Sequence, residues 1–130
     1  MAMSWFAASA IMFAEEFGGR PQRTFLVYEN VYLVEARSSG SARRKAERLA
    51  RAEEGDQAGT LQVDGKRASM RFAGIRKVTS VAPNMTTLGP QPVRKIVDGV
   101  EATYSVFLVK DRRALMALAR GKSIDLKYME

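Results

Sequence analysis

The sequence predicts one α+β domain over residues 1–130, with a mainly antiparallel sheet and two helices packed on one face of it. Two long runs rich in β-branched and aromatic residues predict the first strands. Two Asp-Gly pairs, each between alternating apolar runs, predict hairpin turns. Two segments with capping residues and helical periodicity predict the helices. The length of 130 residues and the 46% apolar content fit a single globular core.

The first two predicted strands are Ser4–Phe13 and Phe25–Ala36, joined by a loop at Gly18–Pro21. Ser4–Phe13 is apolar on both of its alternating faces, which is typical of a strand covered on both sides. Its alanines also fit a helix by periodicity alone, but the glycines and the proline that follow favour the strand. These two strands are therefore expected to form an antiparallel pair.

The first helix is predicted over Ala42–Glu54. Ser38–Ser41 supply capping hydroxyl groups before it, and Gly55 supplies a stop after it. Its apolar stripe consists mostly of alanine, at Ala42, Ala46 and Ala50 with Leu49 beside them. Such a thin stripe predicts that the helix lies close against a sheet.

The rest of the chain is predicted to form short strands with tight turns, followed by a second helix. Asp111 is expected to cap that helix and Gly121 to end it. The predicted elements are the strands Thr60–Val63, Arg67–Ile75 and Lys77–Ala82, a loop Pro83–Pro92, the hairpin Val93–Val97 with Glu101–Lys110, the helix Arg112–Arg120 and an edge strand Ile124–Tyr128.

The chain contains no cysteine and no histidine. This composition excludes disulfides, thiolate nucleophiles, Cys/His zinc sites and imidazole-based proton transfer. The acidic residues are scattered, and Glu101 and Tyr104 fall on opposite faces of a regular strand. Catalysis is therefore left open but not favoured, and we expect no cofactor and no metal.

The chain is expected to have no transmembrane segment, because no apolar run approaches the roughly 18 residues that span a bilayer. Met1–Ala14 carries no Lys or Arg before its apolar stretch and meets Glu15 and Glu16 directly, unlike a signal peptide. A cytoplasmic location is the default expectation.

Basic residues outnumber acidic ones by 21 to 14, and the formal charge of +7 favours an anionic partner. They concentrate on the first helix and on the strand that follows Asp64-Gly65. Arg67 and Arg71 are predicted to project from one face if no bulge intervenes. The candidate partner- or phosphate-binding residues are Arg43, Arg44, Lys45, Arg48, Arg51, Arg67, Arg71, Arg76 and Lys77, and the candidate loop contacts are Met85, Thr86, Thr87 and Leu88.

Several short motifs occur in the order that a known family shows. They are Trp5-Phe6-Ala7-Ala8, the helical pair Ala42 and Ala46, Phe72-Ala73-Gly74-Ile75, and Glu101-Ala102-Thr103-Tyr104-Ser105. Over about residues 4–108 the chain resembles a family of small bacterial domains of unknown function, the one numbered 4288. The resemblance implies one compact fold and implies no catalytic residue and no cofactor.

The elimination of the catalytic classes favours a non-enzymatic module that acts by protein–protein contact. An accessory, regulatory or toxin-neutralising role in bacteria is the expectation, together with self-association through a sheet edge. The alternative is a nucleic-acid-binding protein that uses the basic helix and strand as its surface. Salt separates the two hypotheses, because binding to phosphates weakens steeply as salt rises.

Overall fold

Six strands form one sheet in the order β3-β4-β1-β2-β5-β6, and every neighbouring pair is antiparallel. The computed structural model describes residues 3–18, 21–81, 101–122 and 127–129. The predicted α+β class is confirmed. The elements are β1 (Ser4–Glu16), β2 (Phe25–Ala36), α1 (Ser39–Ala52), β3 (Gln62–Val63), β4 (Lys66–Ser80), β5 (Glu101–Val109), α2 (Arg112–Ala119) and β6 (Lys127–Met129).

The two helices pack on opposite faces of the sheet, so the prediction that both lie on one face is wrong. Successive side chains of a strand point to opposite faces. On β1, Ala10 and Met12 belong to a core with the alanines of α1, whereas Ile11 and Phe13 belong to a second core with α2. Both faces of β1 are apolar because this central strand lies between two helical layers and is buried on both sides.

Strand β4 is continuous from Lys66 to Ser80, although the sequence suggested two strands separated at Arg76. Its pairing with β1 shifts register twice, between Ser9 and Ala10 and between Ile11 and Met12. A register shift of this kind inserts an extra residue into one strand and bends it without ending it. The interruption in the sequence pattern near Arg76 is therefore a bulge.

The Asp64-Gly65 hairpin is confirmed. Val63 pairs with Lys66, and the two residues between them have positive φ angles of 51° and 77°. Two successive positive φ angles define the hairpin turn that Asp-Gly sequences favour. The loop Pro83–Pro92, the strand Val93–Val97 and the Asp98-Gly99 turn lie outside the described residues.

Helix α1 begins at Ser39, three residues before its predicted start, because Ser38 is the capping residue. The Ser38 hydroxyl oxygen accepts a hydrogen bond from the Ser41 amide at 3.1 Å. The predicted buried stripe is confirmed, since Ala42, Ala46 and Ala50 are fully buried. Their small side chains let the helix backbone approach the sheet closely.

Helix α2 is capped by Asp111 as predicted, with the carboxylate accepting from the Ala114 amide at 2.7 Å. Its last turn lies directly over the bulged part of β4. A Cβ atom on Gly74 would stand 3.2 Å from the carbonyl oxygen of Ala119, and a Cβ atom on Gly121 would stand 2.9 Å from that of Arg76. These glycines allow the helix end and the strand to meet backbone to backbone.

Replacing Gly121 with alanine is expected to destabilise the fold by about 1–3 kcal/mol. Gly121 has a φ of 79°, which strains any residue with a Cβ atom, and the added Cβ would also press on the Arg76 carbonyl. Gly65→Ala is the matched control, because its φ is 77° and nothing lies within 4 Å of the added atom. Urea denaturation measures both variants. Equal losses would show that the contact with Arg76 contributes nothing.

Candidate functional site

The cations of α1 divide between the two flanks of the helix, and those on the β4 flank support the fold. Arg43 donates to the backbone oxygen of Ile75 at 2.9 Å, and the Arg51 guanidinium lies 5.1 Å from the centre of the Phe72 ring. The carboxylate of Glu54 accepts from the Phe72 amide at 3.0 Å. Arg43 and Glu54 satisfy backbone groups of β4, and together with Arg51 they cover part of this sheet edge.

The cations on the other flank line an open pocket of about 350 Å³ between α1 and the end of β2. Four of its lining residues are cationic and one is acidic. The lining consists of Met3, Glu35, Ala36, Arg37, Ser41, Arg44, Lys45 and Arg48. We refer to this feature as the basic pocket.

Three elements place these residues together. Ser4 pairs with Ala36 at the end of the β1–β2 ladder, so Met3 and Arg37 both lie just beyond this last pair. Ser41, Arg44 and Arg48 lie three and four residues apart on α1, a spacing that places side chains on one helix face. The ammonium group of Lys45 donates to the backbone oxygen of Glu35 at 3.2 Å and ties the helix to β2.

The arginines of the basic pocket have no carboxylate partner within the described parts of the chain. Arg37 and Arg48 have neither a hydrogen-bond nor an ion-pair partner there, and Arg44 donates only to the Ser41 hydroxyl group at 3.3 Å. All three side chains are exposed. Guanidinium groups with free donors form strong, charge-assisted hydrogen bonds to carboxylate or phosphate oxygens. The pocket is therefore equipped to bind an anionic group.

The second predicted basic concentration lies on the opposite face of the sheet. Arg71 pairs with Phe13 and Lys77 with Ser9, and these β1 positions belong to the face that α2 covers. Arg67 and Arg71 share this face as predicted, because neither register shift lies between them. Arg67 is placed 3.5 Å from the Asp56 carboxylate and 5.4 Å from the centre of the Phe17 ring.

Arg76, another cation of β4, is already paired within the fold. The Arg76 guanidinium donates to the Glu29 carboxylate at 2.8 Å. Arg71 and Lys77 are exposed without a partner among the described residues. The structure therefore brings Arg44, Lys45 and Arg48 together but separates them from these three cations of β4 by the thickness of the sheet.

A family model described as Domain of unknown function (DUF4288) matches residues 5–88. The chain belongs to this family. The DUF4288 match covers β1 from Trp5 onward, β2, α1, β3 and β4, and with them every described residue of the basic pocket except Met3. The match ends before the Glu101–Ser105 motif and is shorter than the expected extent to about residue 108. No significant match was found among curated proteins or solved structures.

Five of the eight described lining residues in this DUF4288 chain were not predicted as site residues, among them Arg37 and Met3. Arg37 stands just before the capping serine and outside the helical charge run, and Met3 precedes the first strand. Their place in the pocket follows from the strand register, because antiparallel pairing brings the start of β1 to the end of β2. The predicted loop contacts Met85, Thr86, Thr87 and Leu88 lie outside the described residues.

The described ranges lack a metal-binding cluster and a membrane-spanning helix. No cluster of acidic residues there is arranged to hold a metal ion. Neither helix is long and apolar enough to cross a bilayer. The side chains of Glu101 and Tyr104 are not among those that the structure describes.

Proposed function

We propose that this DUF4288 chain is a non-enzymatic protein-binding module that contacts an acidic segment of its partner through the basic pocket. One observation carries the proposal: Arg37, Arg44 and Arg48 line a single pocket of about 350 Å³ and lack carboxylate partners in the described part of the chain. A partner carboxylate supplies a direct contact to these guanidinium groups, and none of the described carboxylates of the fold does so.

A protein segment suits the pocket better than a nucleic acid. Its described lining residues include no aromatic side chain on which a base would stack. It does hold Met3, which is 48% exposed and offers an apolar contact beside the cations. Arg67, Arg71 and Lys77 of β4 lie on the face opposite to α1, so they do not join its basic residues in the continuous stripe that follows a phosphate backbone.

The role that fits such a module is control of another protein by contact. We propose an accessory, regulatory or toxin-neutralising role in the cytoplasm of a bacterium. Self-association through a sheet edge remains a prediction. We expect it at the β6 edge more than at the β4 edge, because Arg43 and Glu54 already form hydrogen bonds with backbone groups of β4.

Fluorescence anisotropy with two labelled probes tests the proposed function. One probe is a ten-residue acidic peptide with capped termini, and the other is a single-stranded DNA of equal charge. We expect saturable binding of the peptide with a dissociation constant of about 1 mM or below at low salt. Tighter binding of the DNA, with a steep loss of affinity between 50 and 200 mM salt as is typical of phosphate contacts, would instead assign the chain to nucleic acid.

A further inference from the structure

The spacing of the arginines in the basic pocket limits the spacing of the acidic groups that a ligand can present to them. Arg44 and Arg48 lie one helical turn apart on the same face of α1. A helix rises about 1.5 Å per residue, so their Cα atoms are separated by roughly 6 Å along the helix axis. Both guanidinium groups are exposed to the pocket side, and neither contacts a carboxylate within the described residues.

An extended peptide places its side chains at a nearly equal spacing. Its residues rise about 3.3 Å each, so alternate side chains lie on one side of the chain and about 6.6 Å apart. Neighbouring side chains point to opposite sides. Two carboxylates at alternate positions therefore meet Arg44 and Arg48 together, whereas two adjacent carboxylates present only one to the helix.

We propose that the basic pocket selects an extended segment with acidic residues at alternate positions, and this inference rests on the proposed function. Arg37 lines the same pocket just before the helix cap, so a third guanidinium group is available to one of the two carboxylates. The volume of about 350 Å³ lies at the small end of ligand pockets and holds a few side chains. An apolar residue next to the acidic pair packs on Met3.

Three peptides of identical composition test the spacing. Each has capped termini and two glutamates in a neutral background, placed at adjacent positions, at alternate positions or four residues apart. We expect the alternate arrangement to bind about 10-fold more tightly than the adjacent one, because it forms one further charged contact. In Arg48→Gln the difference between the peptides is expected to disappear. In the matched variant Arg113→Gln, on α2, it is expected to persist.

The outcomes separate this inference from the proposed function. Equal affinity of all three peptides for the wild-type chain, together with weakened binding by Arg48→Gln, would overturn the spacing and leave the acidic-partner proposal standing. Failure of all three peptides to bind would overturn both. Preference for the arrangement with glutamates four residues apart would contradict an extended ligand, because that spacing matches one face of a helix.

Discussion

The double substitution Arg44→Glu/Arg48→Glu is expected to lower affinity for an acidic peptide at least about 100-fold. Each arginine forms a charge-assisted contact worth roughly a factor of ten, and two glutamates in their place repel the ligand. Both side chains are exposed, so the free energy of unfolding is expected to change by no more than about 0.5 kcal/mol. Titration calorimetry measures the affinity, and urea denaturation confirms that the variant is folded.

The control is Arg71→Glu/Arg113→Glu. It makes the same change in net charge with two exposed arginines that have no partner in the described part of the chain. Both lie away from the basic pocket, on the side of the sheet that α2 covers. A general effect of net charge would weaken binding equally in the two variants. We expect the control to lose less than about threefold in 150 mM salt, where the Debye length is about 8 Å.

Phe25→Ala is expected to destabilise the fold by about 3–5 kcal/mol. The Phe25 ring is fully buried in the core under α2. It packs edge to face on Phe13 with 5.7 Å between the ring centres. The Arg112 guanidinium lies 5.0 Å from the centre of the Phe25 ring. The substitution therefore leaves a cavity and removes two ring contacts. Thermal unfolding measures the effect as a fall of roughly 10–20 °C.

Phe17→Ala is the control for this prediction, because the Phe17 ring is 50% exposed. We expect it to cost under about 1 kcal/mol, mostly through the contact with Arg67. Phe25→Ala is also expected to bind the acidic peptide normally wherever it is folded, since the basic pocket lies on the other side of the sheet. Loss of binding by the folded variant would show that the two layers are coupled.

Much of the fold follows from local patterns in the sequence. β2 begins and ends at the predicted residues, and Ser38–Ser41, Asp64-Gly65 and Asp111 act at or next to the predicted boundaries. These features depend on capping groups and backbone preferences that a few neighbouring residues determine. The placement of the helices on the faces of the sheet does not follow from such local patterns. The position of α2 depends on which face of β1 its side chains reach, and the apolar character of both faces of Ser4–Phe13 was the signal for it.

The candidate site was predicted only in part. The helical run contained Arg44, Lys45 and Arg48, but periodicity alone did not separate them from Arg43 and Arg51, which contact β4. That division depends on which strand lies beside each flank of α1. Met3 and Arg37 enter the pocket through the register of β1 with β2, and the bulges of β4 fix the positions of Arg76 and Lys77. Contacts between residues distant in sequence determined each of these outcomes.

Backbone amide chemical-shift mapping tests most directly whether an acidic ligand occupies the basic pocket. Uniformly ¹⁵N-labelled protein is titrated with the peptide that carries two glutamates at alternate positions. We predict that the largest shift changes fall on Met3, Glu35–Arg37 and Ser41–Arg48 and saturate together. Shift changes concentrated at Arg71, Lys77 and α2 would place the ligand on the opposite face of the sheet and contradict the account.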